Sequence, residues 1–350
     1  MKEPTPGPID ENPISSFNLN IKGNNPDIEL PRAKEAGLTP AEELVAGDKL
    51  KHELVNPVLI ENPDTGQKFE VLYLNRNAEG DPIIMAQAWS VDSHHKGTLR
   101  EAEQVALQTG RPMYVVNNPN TSKSDKLTKQ QHVELEDGPG FKAVSVPILG
   151  ALKAQGIDRA DFEGTSMGAR LAASMTANAK EIGIEVNSLI IVDSPGMKDR
   201  TRRELLGDFA KEAPNMQRYN EIINSHKIAL GNEIEQEETI IDMLKYYASL
   251  AKHGFRTNFI GYTDAMRRPD LPQDIAKALE TQPNLKLTLI FGTKSNISNP
   301  EKVIEMYQTL FDDETKKRIR LRILPGDTHA LGAGNRISWH ISDSLKRSGR

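Results

Sequence analysis

Short apolar runs and helical repeats alternate along most of this chain of 350 residues. The apolar runs predict strands over residues 82–89, 112–116, 160–163, 188–192, 285–291 and 319–324. Repeats at helical spacing predict helices over residues 99–109, 144–155, 168–182, 300–310 and 338–348. Strands that alternate with helices are typical of a parallel sheet covered on both faces. The pattern therefore predicts an α/β fold with a mostly parallel, doubly wound sheet.

The beginning of the chain departs from this alternation. Residues 1–48 are rich in Pro, Asn, Gly and Glu, and their prolines interrupt any regular pattern, so we expect a flexible N-terminal arm. Apolar runs over residues 57–61 and 69–74 then flank the turn-forming sequence Asn-Pro-Asp-Thr-Gly of residues 62–66. This arrangement predicts an antiparallel hairpin.

A long helical insertion interrupts the second half of the series. No strand-like run occurs between residues 197 and 281, and helical periodicity is clearest over residues 234–252. Such an insertion is expected to lie over the carboxyl ends of the strands, where open α/β sheets bind ligands. The alternative is that these helices only flank the sheet. We expect a core of residues 49–196 and 284–350, with a helical cap or lid over residues 197–283.

Composition narrows the class of protein. Hydrophobic residues make up 37% of the chain and charged residues 27%, as in soluble globular proteins. The formal net charge of −5 and the lack of a long basic run give no reason to expect nucleic-acid binding. The densest basic cluster, over residues 316–322, alternates with apolar residues and is typical of the polar face of a half-buried strand. Such charges also discourage pairing at the edge of a sheet.

Several kinds of chemistry are excluded or disfavoured by missing residues. The chain has no cysteine, which excludes disulfides, thiol catalysis and thiolate metal sites. It has neither a His-Glu-x-x-His pair nor an early G-x-G-x-x-G, so we expect no metal and no cofactor. No run approaches the roughly 18 apolar residues of a membrane span, and the first residues lack the apolar segment of a signal peptide. We therefore expect a cytoplasmic protein, and the oligomeric state stays open.

The sequence Gly-Thr-Ser-Met-Gly at residues 164–168 fits the G-x-S-x-G motif of a nucleophile elbow. In an elbow, a serine sits on a strained turn between a strand and a helix, and its hydroxyl stands clear of the sheet. The turn has no room for side chains at the two flanking positions, and these are Gly164 and Gly168. Small residues follow in the predicted helix. Because a strand precedes Ser166 and a helix follows it, we interpret Ser166 as a nucleophile. The alternative is a glycine-rich loop with an ordinary serine N-cap.

The order of elements, the elbow, the helical insertion and a histidine after the last strand resemble the α/β-hydrolase superfamily. The resemblance covers roughly residues 50–350 and concerns the fold and the nucleophile, but no particular substrate. It implies a general base in the loop after the last strand. His329 is the only histidine between the last predicted strand and the last predicted helix, and imidazole titrates near neutral pH.

The acid of the triad is harder to assign from the sequence. The resemblance implies an Asp or Glu in the loop after strand 285–291, but the aligned positions hold Ser295 and Asn296. Asp193, at the end of strand 188–192, is a position that some members of the superfamily use instead, and it could hold the histidine tautomer. Asp193 could also be an ordinary turn residue. The second possibility is that Asn296 orients His329 without a charge.

The resemblance also implies an oxyanion hole built from two backbone N–H groups. One belongs to Met167, the residue after the nucleophile. The other comes from the loop after the first long strand, at Trp89 or Ser90. Trp89 could equally be a wall of the acyl pocket or a core residue.

These residues predict a serine hydrolase that cleaves an ester, thioester or related acyl bond through an acyl-enzyme on Ser166. The alternatives are an inactive or weakly active ligand-binding protein of the same fold, and an acyltransferase that uses the same serine. The expected partner is a small-molecule acyl substrate. Large side chains in the insertion suggest a medium apolar or amphipathic acyl group: Met243, Tyr246, Tyr247, Phe255, Phe259 and Tyr262.

Overall fold

A nine-stranded sheet is the centre of the computed structural model, which describes residues 28–29, 57–89, 91–212, 214, 256–324, 326–329 and 336–348. The strands are β1 (Ile28–Glu29), β2 (Val58–Glu61), β3 (Lys68–Leu74), β4 (Ile83–Ala86), β5 (Met113–Val116), β6 (Arg159–Thr165), β7 (Glu185–Val192), β8 (Lys286–Gly292) and β9 (Ile319–Leu324). Their order is β1-β9-β8-β7-β6-β4-β5-β3-β2. All neighbours pair in parallel except β5 with β3 and β3 with β2. The predicted sheet with its opening antiparallel hairpin is confirmed.

Helices cover both faces of the sheet. They are α1 (Lys96–Thr109), α2 (Lys129–Glu136), α3 (Lys142–Ala154), α4 (Met167–Ala179), α5 (residues 202–212), α6 (Tyr262–Arg267), α7 (Leu271–Thr281), α8 (Pro300–Leu310), α9 (Asp313–Lys316) and α10 (Arg336–Ser348). A short 3-10 helix, Lys180–Ile182, follows α4, and a π-helix, Arg256–Gly261, precedes α6. Helices α1 and α10 pack on one face, and α3, α4, α7 and α8 pack on the other.

Successive residues of each central strand point to opposite faces, so a strand covered on both sides must be apolar throughout. In β4, Ile84 and Ala86 pack into the core beneath α3 and α4, whereas Ile83 and Met85 pack beneath α1 and α10. This explains why the central strands are continuous apolar runs in the sequence. The antiparallel strand β2, at the sheet edge, exposes Val58 and Leu59.

One expectation about strand β9 is wrong. Arg322 was expected on a solvated polar face, but its side chain is buried, and its guanidinium contacts Asp343 and His340 of α10. The partners on α10 make this burial possible, because a buried charge requires a counter-charge and hydrogen bonds. Strand β1 also pairs with β9, so β9 is not the edge of the sheet.

Parts of the predicted organisation lie outside the described residues. Of the predicted arm, only Ile28–Glu29 is described, and these two residues form β1. The helical repeat over residues 234–252 also lies outside the described part, as do the four insertion residues Met243, Tyr246, Tyr247 and Phe255. Tyr262, another of the large side chains of the predicted insertion, is buried and stacks on Phe141 in the core. The limits of the cap therefore stay a prediction.

Candidate active site

Ser166 lies at the turn between β6 and α4 with φ 59° and ψ −123°. A positive φ is uncommon for a residue with a side chain, and it marks a strained backbone held by its surroundings. The N–H of Ser166 donates to the carbonyl of Val192 at 2.8 Å, which ties the turn to the end of β7. The side chain is 5% exposed. This is the backbone geometry expected of a nucleophile elbow.

The two glycines of the motif are required by close backbone contacts. A Cβ on Gly164 would lie less than 3.0 Å from the backbone of Gly168, and a Cβ on Gly168 would lie less than 3.0 Å from the carbonyl oxygen of Ala86. Real Cβ atoms essentially never approach backbone this closely. The start of α4 is therefore pressed directly against the ends of β6 and β4.

His329 reaches Ser166 from the loop after β9. Its Nε2 lies 3.0 Å from Oγ of Ser166, within hydrogen-bond distance, although the two residues are 163 positions apart in the chain. Its side chain is largely buried, with the residue 7% exposed. A nitrogen at this distance can accept the hydroxyl proton of Ser166, which is the geometric requirement for a general base.

Asp193 lies on the other side of the imidazole. Its Oδ2 is 3.5 Å from Nδ1 of His329, an ion-pair distance longer than a close hydrogen bond. Asp193 is 1% exposed, and within the described part of the chain neither of its carboxylate oxygens has a hydrogen-bond partner. Its φ is 43°, and its N–H donates to the carbonyl of Ile290 at 2.8 Å. The carboxylate is thus directed at the ring, and such contacts often shorten only when substrate binds.

The two residues considered as alternative orienting groups are engaged elsewhere. The backbone N–H and the side-chain Nδ2 of Asn296 both donate to Oε1 of Glu212, at 2.9 and 2.8 Å. Oγ of Ser295 accepts from the backbone N–H groups of Ile297 and Ser298, at 3.1 and 3.2 Å. Ser295 therefore shapes its own loop, and Asn296 faces a carboxylate that the sequence did not indicate.

Of the predicted oxyanion donors, Met167 and Trp89 lie in the described part of the chain. Met167 is buried and begins α4 directly after Ser166. Trp89 follows β4 and packs on Phe209 with a ring-centroid distance of 5.1 Å, while Ser90 lies outside the described residues. The loop after β4 is anchored at Ser93, whose N–H donates to Oδ1 of Asn117 at 2.7 Å. The backbone donors thus belong to segments that are held in place by the neighbouring strands.

Helix α5 contributes two residues that sequence reasoning missed. The ring of Phe209 lies edge-on to the imidazole of His329, with centroids 5.8 Å apart, and it also contacts Trp89. Glu212, three residues later, is fully buried and accepts a hydrogen bond from the N–H of His329 at 3.2 Å. No local pattern could indicate this contact, because 117 residues separate the two positions.

Two further carboxyl groups lie beneath the elbow, on the face covered by α1. Glu163 of β6 is fully buried, and both its oxygens lack a hydrogen-bond partner among the described residues. Burial raises the pKa of Glu163 well above its usual range, and the nearby Glu101 raises it further. Burial likewise raises the pKa of Glu101 to about 7, against the opposing effect of the hydrogen bond from Oγ1 of Thr165 at 3.1 Å. The residue next to the nucleophile, Thr165, therefore donates to a carboxyl group whose pKa is raised by burial.

In the described part of the chain, no group of three or more His, Asp or Glu residues could hold a metal ion. Within the same residues, every helix is too short or too polar to cross a bilayer.

Comparison with known proteins supports the fold alone. No protein-family model and no curated protein matches the sequence. Among solved structures, a bromoperoxidase from Bacillus anthracis has a TM-score of 0.54 at 11% identity, covering 84% of this chain and 99% of its own. The meta-cleavage product hydrolase from Pseudomonas fluorescens IP01 has a TM-score of 0.54 at 14% identity, covering 85% and 100%.

An enol-lactonase from Burkholderia xenovorans LB400 is similar as well, with a TM-score of 0.51 at 14% identity, covering 81% of this chain and 98% of the other. These neighbours are α/β-hydrolases, so the chain has the α/β-hydrolase fold that its sequence predicted.

Proposed function

We propose that this chain is a serine hydrolase that cleaves an ester, thioester or related acyl bond of a small to medium substrate. The contact of 3.0 Å between Oγ of Ser166 and Nε2 of His329, on a serine with φ 59°, carries the proposal. Such a strained serine beside a buried imidazole has no evident structural purpose, and strain of this kind is concentrated at functional sites. Enzymes of this fold include the enol-lactonase and the meta-cleavage product hydrolase, whose activities are hydrolytic.

In the proposed reaction, Oγ of Ser166 forms a bond to the acyl carbon while its proton passes to Nε2 of His329. The carbonyl oxygen becomes an oxyanion and accepts hydrogen bonds from the N–H of Met167 and from that of Trp89 or Ser90. When the bond to the leaving group breaks, the leaving group takes the proton from Nε2. The product of this half-reaction is an acyl-enzyme on Ser166.

Water then completes the cycle. It loses a proton to Nε2 of His329 as its oxygen attacks the acyl carbon, and Ser166 regains a proton when the second tetrahedral intermediate collapses to the free acid. The carboxylate of Asp193 accepts a hydrogen bond from Nδ1–H of His329. It thereby stabilises the imidazolium that forms twice in each cycle. The ring of Phe209 beside the imidazole, with Trp89 packed on Phe209, favours an apolar part of the acyl group near the site.

The first test is labelling by a fluorophosphonate probe, with peptide mass spectrometry to locate the adduct. We expect a single adduct on Ser166, none in Ser166→Ala, and labelling at least 1,000-fold slower in His329→Ala, because the serine loses its base. His94→Ala is the matched control, since His94 is exposed and its ion pair is with Glu70 rather than with a residue of the candidate site. A folded wild-type protein that does not react would contradict the proposal and favour a ligand-binding protein.

A further inference from the structure

Helix α5 holds the active-site loops through a single carboxylate. Oε1 of Glu212 accepts both hydrogen bonds of Asn296, in the loop after β8. Oε2 accepts the backbone N–H of His329, in the loop after β9. Hydrogen bonds to a buried carboxylate are stronger than those between neutral groups. Glu212 therefore joins the same two loops that a backbone hydrogen bond also connects, from Lys294 N–H to the carbonyl of Asp327 at 2.8 Å.

Arg200 strengthens the same attachment from just before the helix. Its Nη2 donates to the carbonyl oxygens of Asn296 and Ile297, at 3.1 and 2.9 Å, and its Nε lies 3.2 Å from Oδ2 of Asp208. The loop after β8 is thus held by its N–H groups at Glu212 and by its carbonyl groups at Arg200. Residues 200–212 form one anchor for that loop.

The backbone and the ring of the base are held by different contacts. Nδ1 of His329 is 3.5 Å from Asp193, too long to fix the ring by itself. The backbone of His329, in contrast, is held at Glu212, and Phe209 on the same face of α5 packs against the ring. A shift of this backbone would move Nε2 away from Ser166 without altering any group that contacts substrate.

We propose that Glu212 is a positioning residue, which acts through the backbone N–H of His329 to keep the imidazole within reach of Ser166. The inference rests on the proposed function, because it concerns the reactivity of Ser166. A displacement of about 1 Å in a catalytic group can cost on the order of 100-fold in rate.

The test compares substitutions that remove different hydrogen bonds. In Glu212→Gln, the amide oxygen can still accept from Asn296, but the amide nitrogen cannot accept from His329. In Glu212→Ala, all three hydrogen bonds are lost. In Asn296→Ala, only the bond from Nδ2 is lost, and the contact with His329 remains. Glu204→Gln is the matched control, because Glu204 is an exposed carboxylate of the same helix whose contacts are local to Thr201.

We would measure the labelling rate of Ser166 by a fluorophosphonate, kcat and KM for p-nitrophenyl acetate, and the midpoint of thermal unfolding. We expect Glu212→Gln and Glu212→Ala to slow labelling and lower kcat by about 10- to 100-fold, with KM changed less than about threefold. Asn296→Ala should slow labelling by less than about fivefold, and Glu204→Gln should leave it unchanged. Glu212→Gln should keep more of the thermal stability than Glu212→Ala.

The outcomes separate this inference from the proposed function. If the wild type reacts at Ser166 and both Glu212 variants react at the same rate, Glu212 has no positioning role, while the hydrolase proposal stands. Should Asn296→Ala lose as much activity as Glu212→Gln, the effect comes from the loop after β8 and the inference is equally wrong. If the wild type does not react, both proposals fail. Glu212→Gln, which is nearly isosteric, decides the question if Glu212→Ala does not fold.

Discussion

The loops after β7 and β8 approach His329 in contrasting ways. The loop after β7 directs a carboxylate, Asp193, at the imidazole ring, and this carboxylate has no other hydrogen-bond partner in the described part of the chain. The loop after β8 directs an amide, Asn296, at a second carboxylate, Glu212, which in turn holds the backbone of His329. The two loops thus contact different parts of His329. Asp193 faces the imidazole ring, whereas Asn296 binds the carboxylate that holds the backbone of His329.

Among the substitutions in these two loops, Asp193→Asn is expected to lower kcat the most. The substitution is isosteric, but the amide cannot stabilise an imidazolium and can stabilise the wrong tautomer of His329, so we expect kcat to fall by about 10³- to 10⁴-fold. Hydrolysis of short p-nitrophenyl esters measures the loss. Asn296→Ala, treated in parallel, should lose less than about 10-fold. Equal losses in the two variants would mean that both loops serve the ring.

Asn296→Asp asks whether the acid can be moved to the loop after β8. Asn296 is exposed, but its Nδ2 is 2.8 Å from Oε1 of the buried Glu212, so the new carboxylate would face another one across that contact. We expect a loss of about 1 to 2 kcal/mol in the free energy of unfolding. Urea unfolding at pH 8 and pH 5 measures it, and the loss should shrink at pH 5 as one carboxyl group takes up a proton.

The double variant, Asp193→Asn with Asn296→Asp, extends that test to activity. We expect no recovery of kcat over Asp193→Asn, since position 296 faces Glu212 rather than the ring. A substantial recovery would show that the loop after β8 can supply the acid after all.

Glu163→Gln probes a carboxyl group that has no hydrogen-bond partner among the described residues, whereas Glu212 accepts hydrogen bonds from Asn296 and His329. The pKa values of Glu163 and Glu101 are raised in the folded state, so the folded protein binds more protons than the unfolded chain above pH 4.5. For Glu101, the stability that protonation confers is present below pH 4.5 and is lost as pH rises through about 7. The stability from Glu163 is lost in the same direction, because its pKa is also raised.

We expect Glu163→Gln to match the wild type at pH 5 and to be more stable at pH 8, as measured by urea unfolding. The control is Glu181→Gln, because the hydrogen bond from Lys277 lowers the pKa of the exposed Glu181. That variant should instead lose a little stability at pH 8. A wild-type free energy of unfolding that does not change between pH 5 and pH 8 would contradict the expectation for Glu163 and Glu101.

The sequence predicted the elements whose pattern is local. The helix over residues 300–310 and the strand over residues 319–324 begin and end where their periodicity places them. Helix α2 was missed because only Leu135 of its residues is buried, so no apolar stripe forms. Its available signal was the capping box of Thr128 and Gln131, a spacing that needs no core contact.

In the candidate site, too, the residues that follow from local pattern could be predicted and those placed by distant contacts could not. The elbow motif and the loop histidine could be read from the chain, because each stands next to a predictable strand. Glu212 could not, because its partners lie 84 and 117 residues away and its neighbours carry no motif. Arg322 was misjudged for a related reason. Alternation places a side chain on one face of a strand, but the cover of that face, here α10, is decided by the tertiary fold.

The contact between Gly168 and Ala86 has a consequence for how this protein can diversify. The two segments that supply the proposed oxyanion donors, after β4 and at the start of α4, touch main chain to main chain. Any side chain at position 168 would push these segments apart, so the spacing of the proposed donors depends on glycine there. In the proposed hydrolase, a change of side chain at Trp89 or Phe209 leaves this backbone contact in place. Substrate preference can therefore vary at those aromatic side chains while the backbone contact is kept.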